Sequence, residues 1–203
     1  MARYTGPKTK ISRRYGVLLG GSPRAFENKS YPPGMHGPKG ARRKISEYAT
    51  ALAEKQKLRF QYGVLERQFR RYFETASRRR GVTGLILLQL LETRLDNVVY
   101  RMGFSKTRSG ARQLVSHGHV LLNGRKTDIS SAILKVGDEV SIRVKVNSRQ
   151  LVQRGLDQTQ IVEPPSWLLV DKEGLSGKVM NIPTREEINP LVNEQLVVEL
   201  YSR

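Results

Sequence analysis

Arginine side chains recur at a fixed spacing in the middle of the sequence. Arg108 and Arg112 are four residues apart, and Ser116 follows four residues later. On a helix that advances about 100° per residue these three side chains span about 80° of the circumference, with Leu114 and Val115 on the other side. Two guanidinium groups at this spacing can bridge neighbouring phosphates. An ordinary solvated basic face explains this one helix equally well, so the charge of the whole chain decides between the two interpretations.

The whole chain is strongly basic. Its 203 residues carry a formal net charge of +18, from 36 Lys and Arg against 18 Asp and Glu. The excess is graded: residues 1–80 contain 20 basic and 5 acidic residues, residues 81–150 contain 11 and 5, and residues 151–203 contain 5 and 8. Such a field favours a polyanionic partner for the first two segments. The acidic last segment suits a protein neighbour or a structural role.

Other kinds of site find little support in the sequence. The absence of Cys excludes disulfides, a thiolate zinc site and a cysteine nucleophile. His117 and His119 stand two residues apart at the start of a predicted strand and would point to opposite faces, so no shared metal is expected. The stretch Gly16–Gly21 lacks the Gly-Lys-Ser/Thr ending of a phosphate-binding loop, and no acidic pair has a His or an apolar pocket beside it. We therefore expect neither an enzyme nor a cofactor.

Membrane insertion is also not expected. The longest aliphatic run, Leu85–Leu88, is far shorter than the roughly 20 apolar residues that a membrane span needs. The N-terminus has no apolar segment typical of a secretory signal.

Periodicity predicts a mainly helical first half followed by a small α/β unit. The first 45 residues combine basic side chains with Gly and Pro bends and are predicted to form an irregular arm. Ser46 is the predicted N-cap of the helix that follows, and Asn123-Gly124 is the strongest hairpin signal in the chain. The predicted elements are helices at 46–63, 64–80, 83–103 and 105–116 (with Ser105 as cap), and strands at 120–122, 140–146, 167–170 and 196–200. Residues 147–163 are left open between helix and loop.

Two of these helices carry apolar stripes that predict core positions. On the helix 64–80, Arg67 and Arg71 lie opposite the apolar stripe and form a basic face. The predicted core residues of the two helices are Leu65, Phe69, Tyr72, Phe73 and Ala76, and Leu88, Leu91, Leu95, Val98 and Met102.

One block of residues closely resembles a known RNA-binding domain. Thr93–Phe104, followed by Thr107-Arg108, Ala111–His117 and Asn123-Gly124, is similar to the RNA-binding domain of the S4 family of small-subunit ribosomal proteins. Further matches to the bacterial type of that family are Ala2–Tyr4, Gly6–Lys8, Ser12–Arg14, Pro33–Gly37, Glu54–Lys57, Tyr62–Phe69 and Asn193–Ser202. Some members carry an N-terminal Cys zinc site, which this sequence lacks, so its arm would be ordered by RNA or by packing alone.

The resemblance implies an α+β fold in which a helical N-terminal domain is completed by the C-terminal segment, with a small α/β RNA-binding domain inserted. The expected organisation is a basic arm at 1–45, a helical domain at 46–93 plus about 176–203, and the RNA-binding domain at 94–175. The resemblance also implies a cytoplasmic protein of the small ribosomal subunit. Its partners would be the 5′ domain of 16S rRNA, ribosomal protein S5 with other small-subunit proteins, and mRNA where it enters the subunit. Roles in early assembly and in translational fidelity are implied as well.

Pattern and resemblance together predict a set of RNA-binding residues. The rRNA candidates are Arg3, Lys8, Lys10, Arg13, Arg14, Lys55, Lys57, Arg67, Arg71, Arg94, Arg101, Lys106, Arg108, Arg112, Gln113, His117 and Asn123. Lys39, Arg42, Arg43 and Lys44 follow a Pro- and Gly-rich bend, where they would be held on an exposed elbow suited to a single-stranded backbone. They are candidates for mRNA contact, and an rRNA contact is the comparable alternative.

Two other classes of function stay open at this point. The same small domain recurs in tyrosyl-tRNA synthetases, pseudouridine synthases and a heat-shock RNA-binding protein, so a stand-alone RNA-binding factor is the alternative. The enzymes among these need a separate catalytic domain, for which this chain has no room. A DNA-binding chromatin protein would fit the charge, but nothing in the sequence indicates half-sites or a helix that enters a groove.

Overall fold

The structure is a computed structural model that describes residues 3–38, 45–159 and 163–202. In chain order the described residues form helices α1 (Lys8–Tyr15), α2 (Pro23–Glu27), α3 (Glu47–Gln61), α4 (Glu66–Ser77), α5 (Thr83–Glu92), α6 (Leu95–Arg101) and α7 (Arg108–Ser116), then strands β1 (Val120–Leu122), β2 (Arg125–Lys126) and β3 (Glu139–Ile142), helix α8 (Val146–Thr159), strands β4 (Leu168–Asp171) and β5 (Ser176–Val179), and helices α9 (Arg185–Ile188) and α10 (Glu194–Ser202). No helix among these residues is long and apolar enough to cross a membrane.

The chain divides into two compact units. The first contains the residues up to Gly84 and those from Pro190 onward, and the second contains Leu85–Asn189. The expected α+β class, helical at both chain ends with a small α/β unit between them, is confirmed. The domain limits at 94 and 175 stay a prediction, because backbone compactness does not measure which segments fold independently.

The first unit is built from α1–α4 and α10. Ser46 caps α3 as predicted, because its Oγ accepts a hydrogen bond from the Ala49 N–H at 3.2 Å. On α4, Phe69 and Ala76 are fully buried and Tyr72 is nearly so, which confirms the predicted apolar face. The other two predicted core residues, Phe73 and the N-cap residue Leu65, are half-buried. Helices α1 and α2 correct the prediction of a wholly irregular arm. One or two helical turns leave no sustained periodicity in the sequence, so the pattern could not reveal them.

Helix α10 corrects the predicted strand at 196–200. The Asn193 side chain accepts a hydrogen bond from the Gln195 N–H at 3.0 Å as the helix begins. The helix then packs on α3, with Val197 fully buried and Tyr201 stacked on Phe69 and Phe73 at centroid distances of 6.1 and 4.7 Å. Burial of residues four apart outweighs the strand preference of the adjacent valines.

The predicted helix 83–103 is two helices. Arg94 is extended and forms an isolated antiparallel bridge with Ile133, which separates α5 from α6. The Leu95 N–H donates to the Ala132 carbonyl at 2.8 Å and the Leu134 N–H to the Thr93 carbonyl at 2.9 Å. Because these bonds are non-local, no helical pattern could show the break.

The second unit packs its helices on a five-stranded antiparallel sheet of order β2-β1-β3-β5-β4. The predicted hairpin is confirmed: Asn123 and Gly124 have φ values of 50° and 76°, as its two-residue turn requires. Strand β3 ends at Ile142, four residues earlier than predicted, and residues 146–159 are helical. The core includes Leu95, Met102 and Trp167, each with at most 1% of its surface exposed.

Candidate nucleic-acid interface

Helix α7 begins at a different cap from the one predicted. Thr107, and not Ser105, accepts the capping hydrogen bond, from the Gly110 N–H at 3.1 Å. Ala111, Leu114 and Val115 are buried, which confirms the packed side of the helix. The basic side of α7 is therefore correctly oriented, but its arginines are engaged within the protein.

Asp96 is the centre of one group of arginines. The Nε and Nη2 atoms of Arg112 donate to Asp96 Oδ2 at 2.8 and 2.7 Å. Arg94 donates from Nε to Oδ1 at 3.0 Å and from Nη2 to Oδ2 at 2.7 Å. Asp96 thus joins α6 to α7 through Arg112, and it holds Arg94 at the start of α6.

Glu92 and Asn97 organise the other two arginines. Arg101 donates from Nη2 to Glu92 Oε1 at 2.7 Å and from Nε to Oε2 at 3.1 Å. The Asn97 amide donates to Glu92 Oε2, while its Oδ1 accepts from Arg108 Nε at 2.7 Å. The Arg108 guanidinium also lies 4.5 Å from the centre of the Tyr100 ring.

We refer to these residues as the arginine network: Arg94, Arg101, Arg108, Arg112, Glu92, Asp96 and Asn97. Four positive charges meet two negative ones, and the side chains of Arg101 and Arg112 remain 26% and 15% exposed. Arg94 is fully buried. Because its side chain is buried and bonded to Asp96, we assign Arg94 a structural role, and its predicted RNA contact stays a prediction.

The remaining predicted residues of the second unit are exposed: Lys106, Gln113, His117 and Asn123. The Asn123 side chain has a structural use, because its Nδ2 donates to Asp138 Oδ1 and its Oδ1 accepts from the Glu139 N–H, both at 2.9 Å. These bonds tie the hairpin to β3. Lys106, Gln113 and His117 stay predicted RNA contacts.

In the first unit Lys55 is a second buried cation. Its Nζ donates to Glu66 Oε1 at 2.8 Å, and the Tyr201 hydroxyl donates to the same oxygen at 2.8 Å. Burial raises the pKa of Glu66, but the hydrogen bonds from Lys55 and Tyr201 outweigh it and leave that pKa below its usual value. Burial and the bond to Glu66 raise the pKa of Tyr201 well above the ordinary range. The Tyr201 bond to Glu66 connects α10 to α4, and Lys55 supports the same carboxylate from α3. An RNA contact by Lys55, which is largely buried, stays a prediction.

Most other candidates of the first unit lie on the surface. Arg13 donates from Nε to the Tyr31 carbonyl at 3.1 Å and lies over the Tyr31 ring at 4.8 Å, so it shapes the arm. Lys57 pairs with Glu54 at 2.6 Å and is half-buried. The exposed candidates are Arg3, Lys8, Lys10, Arg14, Arg67 and Arg71. The four mRNA candidates, Lys39, Arg42, Arg43 and Lys44, lie outside the residues that the structure describes.

Sequence reasoning missed a group of cations near the end of α7. Arg143, Lys145 and Arg149 follow β3. A strand predicted to reach residue 146 would have put Arg143 and Lys145 on one face and left Arg149 beyond its end. The end of β3 at Ile142 and the start of α8 at Val146 place them instead around one turn. The i, i+4 spacing of Lys145 and Arg149 beside Asn147-Ser148 was the signal that could have indicated a helix start.

Burial lowers the pKa of His119, and the positive charges of His117 and Arg143 add to the effect.

Among the described residues, no group of His, Asp and Glu side chains is arranged to hold a metal ion.

Comparison with known proteins connects this geometry to a family. Residues 3–92 match the family model described as the Ribosomal protein S4/S9 N-terminal domain, and residues 93–140 match the S4 domain. The chain is 61% identical to the small ribosomal subunit protein uS4 of Akkermansia muciniphila, over 203 residues and the full length of both chains. It is 56% and 53% identical to the uS4 proteins of Opitutus terrae and Persephonella marina, again over the full length of each. The chain therefore belongs to the uS4 family of small ribosomal subunit proteins.

Proposed function

We propose that this protein binds the 5′ domain of 16S rRNA at a multi-helix junction, early in the assembly of the small ribosomal subunit. As a member of the uS4 family it is a structural, RNA-binding protein of that subunit and not an enzyme. We therefore expect it to stabilise a folded RNA through complementary charge and shape, without catalysing a reaction.

The observation that carries this function is the match over the entire chain. A stand-alone RNA-binding factor would need only the segment that matches the S4 domain, residues 93–140. Here the preceding residues 3–92 match a ribosomal N-terminal domain, and both curated chains and this chain are covered completely. The stand-alone alternative is therefore not favoured.

The direct test is binding of the full chain to a transcript of the 16S rRNA 5′ domain. We expect specific binding that weakens steeply with salt, because each neutralised phosphate releases counterions at about 0.7–0.9 log units per log unit of salt. A duplex DNA of equal length is the matched competitor. Equal affinity for the two, or absence of the protein from purified small subunits, would contradict the proposal.

A second part of the proposal concerns ribosomal protein S5 and translational fidelity. Residues 151–203 carry the only acidic excess of the chain, with 8 acidic and 5 basic residues. We expect this segment to face a protein neighbour. Cross-links from Glu186 or Glu199 that reach S5 in assembled subunits would support it, and cross-links to rRNA alone would contradict it.

The third part concerns mRNA. Replacing Lys39, Arg42, Arg43 and Lys44 together by Ala should leave subunit assembly nearly normal and impair translation through structured messengers. Four Ala replacements at Arg24, Lys29, Arg79 and Arg80, which are exposed and are not predicted contacts, serve as a control with the same loss of charge. Failure of the first variant to incorporate into small subunits would make the elbow an rRNA contact.

A further inference from the structure

Helix α7 ends in a turn whose backbone is fixed by two hydrogen bonds. The Gly118 N–H donates to the Val115 carbonyl at 2.8 Å, and the His119 N–H donates to the Leu114 carbonyl at 3.1 Å. Gly118 adopts a φ of 69°, which completes a Schellman motif. This turn sets the positions of His117 and His119 on its two sides, with ring centroids 6.2 Å apart.

Two other segments are fastened to the same turn. The Arg143 N–H donates to the His119 carbonyl at 2.9 Å, which extends the pairing of β1 with β3 by one residue. His119 Nδ1 lies 2.9 Å from the Oγ of buried Ser148 on α8. On the hairpin side, the Lys126 side chain crosses Gly118 so closely that a Cβ there would clash with it.

The start of α8 adds two further cations. The Ser148 and Arg149 N–H groups donate to the Lys145 carbonyl at 2.9 and 3.0 Å. Lys145 and Arg149 thus flank Ser148, whose hydroxyl contacts His119 in the turn. We refer to the six side chains as the Gly118 cluster: His117, His119, Lys126, Arg143, Lys145 and Arg149. Lys126, Lys145 and Arg149 are exposed, and Arg143 is half-buried.

The Gly118 cluster is a concentration of positive charge. Within the described part of the chain, none of its Lys and Arg side chains forms an ion pair. The charged neighbours that act on His119, namely His117 and Arg143, are both basic. Like charges held together by backbone bonds repel one another, so an anion placed among them gains from all of them.

We propose that the Gly118 cluster is a second RNA contact of this protein, which holds backbone phosphates by charge. The inference rests on the proposed rRNA-binding function and extends it, because Arg143, Lys145 and Arg149 lie beyond residues 93–140 that match the S4 domain. The chemistry favours RNA over a protein partner. Lysine is depleted in protein interfaces, whereas Lys and Arg spread over three segments can follow a phosphate backbone.

The test removes three exposed charges from the cluster, as Lys126→Ala, Lys145→Ala and Arg149→Ala in one chain. The matched control removes three exposed charges from elsewhere in the same unit, as Lys135→Ala, Lys172→Ala and Lys178→Ala. Affinity of the full chain for the 16S rRNA 5′-domain transcript is measured against salt, and thermal unfolding confirms that both variants are folded.

We expect the cluster variant to flatten the salt dependence by about 2 to 3 log units per log unit of salt, and to bind at least tenfold more weakly at low salt. The control should change the slope by less than one. Equal effects of the two variants would overturn the proposal. So would normal transcript binding by the cluster variant combined with failure to enter small subunits, because the cluster would then face a protein. Failure of the wild-type chain to bind the transcript would instead contradict the proposed function.

Discussion

The arginine network and the Gly118 cluster lie at opposite ends of helix α7 and use positive charge in different ways. In the network, Asp96 and Glu92 accept from Arg94, Arg112 and Arg101 in close ion pairs. In the cluster, the cations have hydrogen-bonded backbones but no acidic partners among the described residues. A guanidinium already held by a carboxylate adds less to RNA binding than one that is not, since its charge is partly cancelled. The comparison teaches that the number of arginines on a helix face does not measure its capacity to bind phosphate.

The largest expected effect comes from breaking the network at its centre. Asp96→Ala leaves the fully buried Arg94 without its carboxylate, and removing one partner of a buried pair costs about 3–5 kcal/mol. Urea unfolding should show this loss in the free energy of unfolding. Asp128→Ala, at an exposed residue of the same unit, is the control and should change it by less than about 0.5 kcal/mol. Equal stability of the two variants would mean that the network is not structural.

A smaller loss of stability is expected when Arg108 and Arg112 are replaced together by Ala. The sequence alone predicts a variant that folds normally and binds RNA weakly. The structure changes that prediction, because Arg108 donates to Asn97 and Arg112 to Asp96. Both guanidinium groups are partly exposed and screened by water, so the two bonds together should contribute about 1–3 kcal/mol, and thermal unfolding should move to lower temperature. An unchanged melting temperature with lost RNA binding would show that the two arginines contact RNA and do not stabilise the fold.

The Lys55–Glu66–Tyr201 group is a second place where a cation paired with a carboxylate is expected to stabilise the fold, here in the first unit. Glu66 has a lowered pKa in the folded chain, so its ionised form stabilises the fold at neutral pH, and this contribution is lost as pH falls through that pKa. Glu66→Gln should therefore cost about 1 kcal/mol at pH 7, a modest value because water screens a carboxylate that is 44% exposed. The difference from wild type should shrink below about pH 4. A difference that is constant with pH in urea unfolding would contradict this account.

The smallest effect is a pH dependence of RNA binding at the Gly118 cluster. His119 lies close to His117, Arg143 and Ser148, and burial together with the charges of His117 and Arg143 lowers its pKa in the free protein. A bound phosphate would raise that pKa, so binding takes up a proton and affinity should increase as pH falls from 7.5 to 5.5, by about threefold to tenfold.

His119→Gln should lose most of this pH dependence, whereas His36→Gln, at an exposed histidine of the first unit, should retain it. Affinity for the 16S rRNA 5′-domain transcript at each pH gives the measurement. Retention of the pH dependence by His119→Gln would show that it arises elsewhere.

The sequence predicted those parts of the fold that depend on local pattern. The Ser46 cap, the apolar face of α4 and the Asn123-Gly124 hairpin each follow from residues within one element. The failures involve contacts between distant segments. Helix α10 depends on stacking of Tyr201 against α4, and the break at Arg94 depends on pairing with Ile133.

In the candidate site, too, local spacing was predicted correctly and contacts between distant segments were not. The spacing of Arg108 and Arg112 placed both side chains on one side of α7, but it could not show that Asp96 and Asn97 would reach them from another helix. Lys55 was indistinguishable in sequence from an exposed cation until α10 covered it. Conversely, the Gly118 cluster went unrecognised because its members come from three segments that only the sheet and the start of α8 bring together.

The most direct test of RNA binding by the Gly118 cluster is a lysine-modification footprint of the full chain with and without the 16S rRNA 5′-domain transcript. Exposed lysines react with an acylating reagent, and mass spectrometry reports each one separately. The account predicts that RNA protects Lys126 and Lys145 strongly, while Lys135, Lys172 and Lys178 keep their reactivity. Protection of the latter three with no change at Lys126 and Lys145 would contradict it.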